Sequence, residues 1–175
     1  LYNFNSGGTL AWWLTDSNVL TYGKWHHVAV TYDNSNITND PIIYVDGKQV
    51  AITEQTAPTV SRDTDASESF YIGNQANDGK TFDGRIAMVR LFSDIRTEAE
   101  LRNNMFDDFA NMLTAEKVGM VAMYQFDEGT GTTLDNIQGT AAADGAITVG
   151  GSAWGAAGAF NPGVSKLTMA NTVFT

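Results

Sequence analysis

Residues 23–33, which read GKWHHVAVTYD, carry the pattern that decides the fold. Val28, Val30 and Tyr32 alternate with smaller or polar side chains, which is the period of a strand with one buried face. Outward from this stretch, residues 1–92 contain short apolar runs separated by turn signals, a spacing typical of antiparallel sandwiches and barrels. The predicted strands are residues 9–14, 19–22, 25–32, 42–45, 49–52, 69–72 and 85–92.

The only two histidines of the chain, His26 and His27, lie side by side in this stretch. Successive side chains of a strand point to opposite faces, so the pair cannot share one metal ion or one proton relay. The sequence also has no cysteine and no motif for a serine nucleophile. Both histidines are therefore predicted to be structural.

Local signals predict a hairpin, a loop and a helix. Asp46-Gly47 separates two apolar runs and suits a two-residue turn with positive φ angles. Residues 53–68 are polar and include Pro58, which predicts an exposed loop or an irregular edge. Thr97 and Glu100 have the spacing of a capping box, and apolar residues recur at helical intervals after it. One short amphipathic helix is predicted near residues 98–113.

The chain has 20 acidic and 10 basic residues and a formal net charge of −10. A surface of this charge repels phosphate backbones and anionic lipid, which disfavours nucleic acid and membranes as partners. No apolar run is long enough for membrane insertion. The chain begins at Leu1 instead of a methionine, so we expect it to be part of a longer protein.

Five motifs, taken in order, resemble laminin G-like and pentraxin-like domains of the concanavalin A-like lectin/glucanase superfamily. They are WHHVAVTYD at residues 25–33, YVDG at 44–47, YIG at 71–73, FDGRI at 82–86 and VRLF at 89–92. The resemblance implies a two-sheet antiparallel jelly-roll sandwich. Residues 120–133, MVAMYQFDEGTGTT, are similar to the opening strand of such domains when they occur in tandem.

The resemblance also divides the chain. Residues 1–118 are interpreted as a laminin G-like jelly roll plus the helix, lacking the strands that usually open the domain. Residues 119–175 are a Gly/Ala-rich tail with strands that either complete this sandwich or open a following repeat. A third alternative is that a neighbouring chain supplies the missing strands, because an unpaired strand edge is a template for pairing.

Two polar loops are the candidate binding sites. Asp33 and Asn34 open the first, which continues through Ser35 and Asn36 to Asn39-Asp40. Asn74 and Gln75 belong to the second, which loosely resembles the calcium-binding loop of pentraxins. Calcium takes carboxylate, amide and backbone oxygens, so this resemblance makes Asn74, Asn77 and Asp78 candidate ligands of calcium, the one expected cofactor.

A tryptophan completes the set of candidate ligand-binding residues, which is Trp13, Asp33, Asn34, Asn74 and Gln75. Trp12 and Trp13 point to opposite faces of a strand, so one is expected in the core and the other exposed. An exposed indole beside amide and carboxylate groups suits a sugar, whose C–H face stacks on the ring.

Catalysis is not expected. Glucanases of the superfamily carry Glu-x-Asp with a further Glu on one strand, and this sequence has no such arrangement. The preferred interpretation is a non-catalytic recognition or adhesion module that binds glycan or protein, located extracellularly, on a cell surface or on a virion surface. The alternative is a structural domain that assembles with copies of itself in a virion, fibre or extracellular filament.

Overall fold

The computed structural model consists mainly of antiparallel strands with one short helix, which confirms the predicted all-β class. It describes residues 1–64, 69–73, 82–139, 144–149 and 165–169. The chain divides into two compact units. Unit 1 comprises Leu1–Thr64, Asp94–Asp107 and Met112–Glu116, and unit 2 comprises Asp65–Ser93, Asp108–Asn111 and Lys117–Thr175.

Unit 1 contains two three-stranded antiparallel sheets. The first has the order β1-β2-β6, with strands Tyr2–Ser6, Thr9–Thr15 and Ile52–Thr56. The second has the order β3-β4-β5, with strands Val28–Thr31, Ile42–Val45 and Lys48–Val50. The stretch that decides the fold therefore supplies β3, an edge strand of its sheet in the described part of the chain. The strand predicted at residues 19–22 is wrong, because this segment forms turns and bends around Asn18, whose φ is 66°.

The Asp46-Gly47 hairpin turn is confirmed. Both residues have positive φ angles, 51° and 71°, as a two-residue turn between twisted strands requires. A Cβ at Gly47 would lie 2.9 Å from the Cβ of Arg102 on the helix. The turn thus needs glycine for its conformation and for the close approach of the helix.

The predicted loop at residues 53–68 is partly a strand. Residues 53–56 belong to β6, which pairs with β2 at the edge of the sheet and has a register shift opposite Trp12 and Trp13. Beyond β6, the buried hydroxyl of Ser6 accepts the backbone N–H groups of Thr59 and Val60 at 3.0 and 2.9 Å. β6 with its register shift is an irregular edge, one of the two predicted alternatives, and residues 65–68 lie outside the described residues.

Helix α1, Glu98–Asn104, is shorter than the predicted helix near residues 98–113. At the end of α1 the Asp107 N–H donates to the Asn104 carbonyl at 3.0 Å, and farther along the chain the Asn111 N–H donates to the Asp108 carboxylate at 2.9 Å. Both are turn hydrogen bonds, so residues 105–113 do not continue the helix. A single 3₁₀ turn, Thr114–Lys117, follows. No helix in the described ranges has the length and apolar character needed to cross a membrane.

The capping box at the start of α1 is confirmed. The Glu100 N–H donates to the Thr97 hydroxyl at 3.3 Å, and the Glu100 carboxylate accepts the Thr97 backbone N–H at 2.8 Å. That backbone hydrogen bond, with the one from the Thr97 hydroxyl, lowers the pKa of Glu100.

Replacement of Thr97 by alanine is expected to lower the free energy of unfolding by about 1 kcal/mol at neutral pH, measured by urea unfolding. Because the pKa of Glu100 is lower in the folded state, the contribution of the box is present above the unfolded pKa of about 4.3 and is lost as pH falls through the folded pKa. The difference between wild type and Thr97→Ala should therefore shrink in acid. Thr130→Ala, a change at an exposed threonine, is the control, and an equal loss for both variants would contradict the prediction.

Unit 2 joins residues of the middle of the chain to its C-terminal part. One antiparallel sheet has the order β10-β11-β12-β7, with strands Thr133–Leu134, Gly145–Val149, Ser165–Met169 and Phe70–Ile72. The other pairs β8, Val89–Phe92, with β9, Met120–Tyr124. The described strands after residue 119 thus share sheets with β7 and β8. The domain boundaries inferred from the sequence stay a prediction.

Candidate functional site

The loop between β3 and β4 is fixed by its own side chains. Asp33 Oδ1 accepts the Ser35 N–H at 2.9 Å, and Asn36 Oδ1 accepts the Thr38 N–H and hydroxyl, each at 3.0 Å. The Asn39 side-chain amide donates to the Asp33 carbonyl at 2.9 Å and so ties the two ends of the loop together. These Asn and Asp side chains act as local turn formers, which gives the loop a defined shape without a buried core.

An open pocket of about 330 Å³ lies at this loop in unit 1. Its wall combines polar residues from the loop and strand β3 with two isoleucines. The lining residues are Thr31, Asp33, Thr38, Asn39, Asp40, Ile42 and Ile95. Hydroxyl, amide and carboxylate groups thus share one concave surface with apolar side chains, the combination that binding sites for small polar ligands use.

The electrostatic character of the pocket is anionic. Hydrogen bonds from the Ser35 hydroxyl and backbone N–H lower the pKa of Asp33, which is ionised at neutral pH. Burial raises the pKa of the neighbouring Tyr32; the Arg62 guanidinium opposes that shift, and the carboxylates of Asp40 and Asp33 add to it. No lysine or arginine occurs in the pocket lining as the described residues form it.

Trp13 supports the pocket from within the core. Its side chain is fully buried, so the prediction that Trp13 offers an exposed ring to a ligand is wrong. The indole packs with Tyr2, Phe4 and Tyr32 at centroid distances of 6.1, 5.5 and 6.5 Å. Its Nε1–H donates to Asp40 Oδ1 at 2.8 Å and thereby holds one carboxylate of the pocket. Strand alternation buries one of the two tryptophans, and the buried one is Trp13 because it faces the aromatic cluster, while Trp12 is half-buried.

The remaining predicted site residues fall in different places. Asp33 lines the pocket, whereas Asn34 is exposed on the loop and does not. The second predicted loop, with Asn74, Gln75, Asn77 and Asp78, lies outside the described residues, and its ligand and calcium roles stay predictions. Among the residues that the structure describes, no three His, Asp or Glu side chains group closely enough to hold a metal ion.

Sequence reasoning missed several pocket residues. Thr31 ends β3 two positions before Asp33, and this short spacing in the sequence was the available signal. Ile95 carries no such signal, because it is distant in sequence and joins the site only through folding of unit 1. Local patterns find the loop, and tertiary contacts decide which other side chains complete the pocket.

His26 and His27 form hydrogen bonds that hold the β2–β3 connection and the β4–β5 hairpin turn together. His26 Nδ1 lies 2.8 Å from Asp46 Oδ2, and His26 Nε2 accepts the Thr21 backbone N–H at 3.0 Å. The backbone N–H of His27 donates to Asp46 Oδ1 at 3.0 Å. Asp46 therefore joins the hairpin turn to the start of β3, and the hydrogen bond from His26 is the main cause that lowers the pKa of Asp46.

Comparison with known proteins bears on the same region. A family model of the laminin G type, described as the concanavalin A-like lectin/glucanases superfamily, matches residues 2–102, which is more than half of the chain. The chain belongs to this superfamily. The match covers the sheets of unit 1, the β3–β4 loop and nearly all of α1, so the pocket lies within the matched segment. The antiparallel sheets agree with the sandwich fold of the superfamily.

No curated protein and no solved structure matches the chain. Domains of this superfamily are typically carbohydrate-binding or protein-binding modules. Laminin G-like domains are generally non-catalytic and are typically extracellular. The superfamily thus gives a class of function, and the pocket gives a place in the chain where such a function can be tested.

Proposed function

We propose that this chain is a non-catalytic recognition module that binds a glycan in the pocket at the β3–β4 loop. The observation that carries the proposal is the convergence of Asp33, Asn39 and Asp40 on one concave surface beside Ile42 and Ile95. A sugar ring presents hydroxyl groups at its edge and C–H groups on its faces, so it complements polar acceptors next to apolar side chains. Glycan is favoured over a protein ligand because the pocket is small, about 330 Å³.

The charge of the pocket narrows the class of glycan. Asp33 and Asp40 accept hydrogen bonds from ligand hydroxyl groups but repel sulfate and carboxylate groups. The net charge of −10 also repels anionic glycans, and it does so over a longer range. We therefore expect a neutral oligosaccharide to bind, and sulfated or uronic-acid glycans to be excluded.

A glycan array that includes neutral, sulfated and uronic-acid oligosaccharides tests this function. We expect retention on neutral structures only, and Asp33→Asn should lower the affinity for a retained glycan about tenfold, because one charge-assisted hydrogen bond is lost. Isothermal titration with the purified glycan measures this change.

Asp16→Asn is the matched control, since Asp16 is an exposed aspartate that does not line the pocket. It removes the same charge and should leave the affinity unchanged. If both variants lost the same affinity, the loss would come from the change in net charge alone. That result would contradict a glycan site at the pocket. Absence of retained glycan with or without calcium would contradict the function itself.

Calcium binding is a separate part of the proposal. Asn74, Asn77 and Asp78 supply amide and carboxylate oxygens of the kind that calcium prefers. If they bind it, calcium should raise the melting temperature of the wild-type chain, and Asp78→Asn should reduce that rise. An unchanged melting temperature of the wild type at millimolar calcium would contradict the assignment. Magnesium, which is smaller and requires stricter geometry, is the control ion.

Self-assembly is the second candidate function, favoured by the strand pairings of unit 2. Strands β7 and β8 pair with β12 and β9, which come from the part of the chain after residue 119. The same antiparallel pairings between two copies would link chains into a fibre or particle, because the strands of a second copy have the same sequence. Light scattering coupled to size exclusion tests this candidate, and a monomer at every micromolar concentration would contradict it.

The proposed location is extracellular, at a cell surface or a virion surface. The acidic surface supports solubility there, and it keeps copies of the chain apart unless specific contacts bring them together. Surface labelling of intact cells or particles with an antibody to this chain tests the location. Labelling only after the cells or particles are opened would contradict it.

A further inference from the structure

Both ring nitrogens of His26 are engaged in hydrogen bonds, and the two partners have opposite requirements. Nε2 accepts the Thr21 backbone N–H at 3.0 Å, so it must carry a lone pair and no proton. Nδ1 faces Asp46 Oδ2 at 2.8 Å, a carboxylate oxygen that only accepts. The neutral ring therefore has its proton on Nδ1, and its side chain is only 16% exposed. One histidine tautomer satisfies both contacts.

We propose that His26 is a pH-sensitive latch for the β2–β3 loop, residues 16–27, and that protonation of Nε2 releases the part of this loop around Thr21. A proton on Nε2 would place an N–H group against the Thr21 N–H, and two donors cannot form a hydrogen bond. The loop must then move away or the ring must turn. Histidine is the side chain whose charge ordinarily changes between about pH 5 and 8, and this is the range in which the latch is tested.

Protonation affects the two contacts of His26 in opposite ways. The contact with Asp46 becomes a charge-assisted ion pair, which is stronger than the neutral hydrogen bond. The hydrogen bond from His26 lowers the pKa of Asp46, so this carboxylate remains ionised in mild acid. The ring therefore stays bound to the β4–β5 turn, and the loop contact is the one that breaks.

Charged and titratable groups are present on the loop, the hairpin and the helix. Asp46 Oδ2 lies 2.8 Å from the ring, and His27 is the next residue of the loop. Lys24 lies on the loop itself, and Lys48 begins β5. On the helix, Arg102 is close to Gly47 and lies 3.7 Å from Glu98, which offsets its charge.

The loop that the latch holds carries exposed apolar side chains. Leu20, Tyr22 and Trp25 are 48%, 104% and 60% exposed. In the described structure, the Thr21 hydrogen bond to His26 ties the middle of this loop to the start of β3 and, through Asp46, to the hairpin turn. Release in acid would therefore change the position of three apolar side chains at once.

Hydrogen exchange of the full chain, corrected for the intrinsic effect of pH, tests the latch. The protection factor of the Thr21 amide is expected to fall at least tenfold between pH 7.5 and pH 5.5, while the amides of β4 keep theirs. His26→Gln should abolish this pH dependence, because the glutamine carbonyl accepts the Thr21 N–H and does not titrate in this range. His27→Gln is the matched control and should keep the wild-type response.

A Thr21 protection factor that does not change with pH in the wild type would overturn the proposal, as would loss of the response in His27→Gln alone. A second measurement needs no variant: nitrogen chemical shifts of the His26 ring at pH 7.5 report its tautomer. We expect the proton on Nδ1, and a proton on Nε2 would equally overturn the latch. Because neither measurement involves a ligand, failure of the latch is distinguishable from failure of glycan binding.

Discussion

Replacement of Trp13 by alanine is expected to lower the free energy of unfolding by about 3–5 kcal/mol, the usual range for a buried large aromatic residue. Trp13 is fully buried and packs with three aromatic rings in unit 1. The substitution leaves a cavity among these rings and also removes the hydrogen bond to Asp40. Urea unfolding followed by far-ultraviolet circular dichroism measures the loss.

Trp25→Ala is the matched control, because Trp25 is 60% exposed and the chemical change is identical. Its effect should stay within about 0.5 kcal/mol, as at most surface positions. Trp13→Phe separates packing from the hydrogen bond: it keeps most of the ring volume, and it should weaken glycan binding by releasing Asp40. Similar losses for Trp13→Ala and Trp25→Ala would contradict the assignment of Trp13 to the core.

Replacement of Phe126 by alanine is expected to have a comparable effect in unit 2, about 3–5 kcal/mol. Phe126 is fully buried in a cluster with Tyr124, Leu134 and Ile147. Its φ angle is 58°, a conformation that bulky residues rarely adopt, so burial of the ring must offset a backbone cost of order 1–3 kcal/mol. Hydrogen exchange of the β9 amides measures the loss within unit 2.

Phe126→Gly tests the energetic cost of the positive φ angle at this position. Glycine adopts a positive φ angle without strain, so Phe126→Gly should be less destabilising than Phe126→Ala, although it removes one more carbon. Phe126→Leu keeps apolar volume and should lose less than either. If glycine were the worst of the three, the positive φ angle would carry no energetic cost.

The strongest local patterns in the sequence were sufficient to predict several elements. The β3 strand, the Asp46-Gly47 turn and the Thr97 capping box all depend on neighbouring residues, and all three form. The buried face expected for β3 is wrong, because Val28 and Val30 are 52% and 41% exposed. The helix ends at Asn104, earlier than predicted, where the Asp107 N–H donates to the Asn104 carbonyl in a turn of i to i+3 spacing. The strand at residues 19–22 is absent, since apolar alternation over four residues is too short to distinguish a strand from a turn.

The candidate site was only half predictable. Asp33 was found because a polar run after a strand predicts a loop, and a loop with carboxylates and amides predicts a binding surface. Trp13 was misplaced because alternation shows that two neighbours face apart but not which face is buried. That choice depends on Tyr2, Phe4 and Tyr32, which meet Trp13 only in the folded chain.

The strand class, the hairpin, the helix start and the acidic surface follow from the sequence alone, because each depends on composition or on residues close together along the chain. The superfamily was recognised from the resemblance of five ordered motifs and is matched over residues 2–102. Only the tertiary structure decided the rest. In the folded chain Ile95 lines the pocket, and Trp13 is buried with its indole N–H donating to Asp40. His26 forms hydrogen bonds with both Thr21 and Asp46. Trp13 and Asp40 are 27 positions apart and His26 and Asp46 are 20 apart, and no local pattern encodes such contacts.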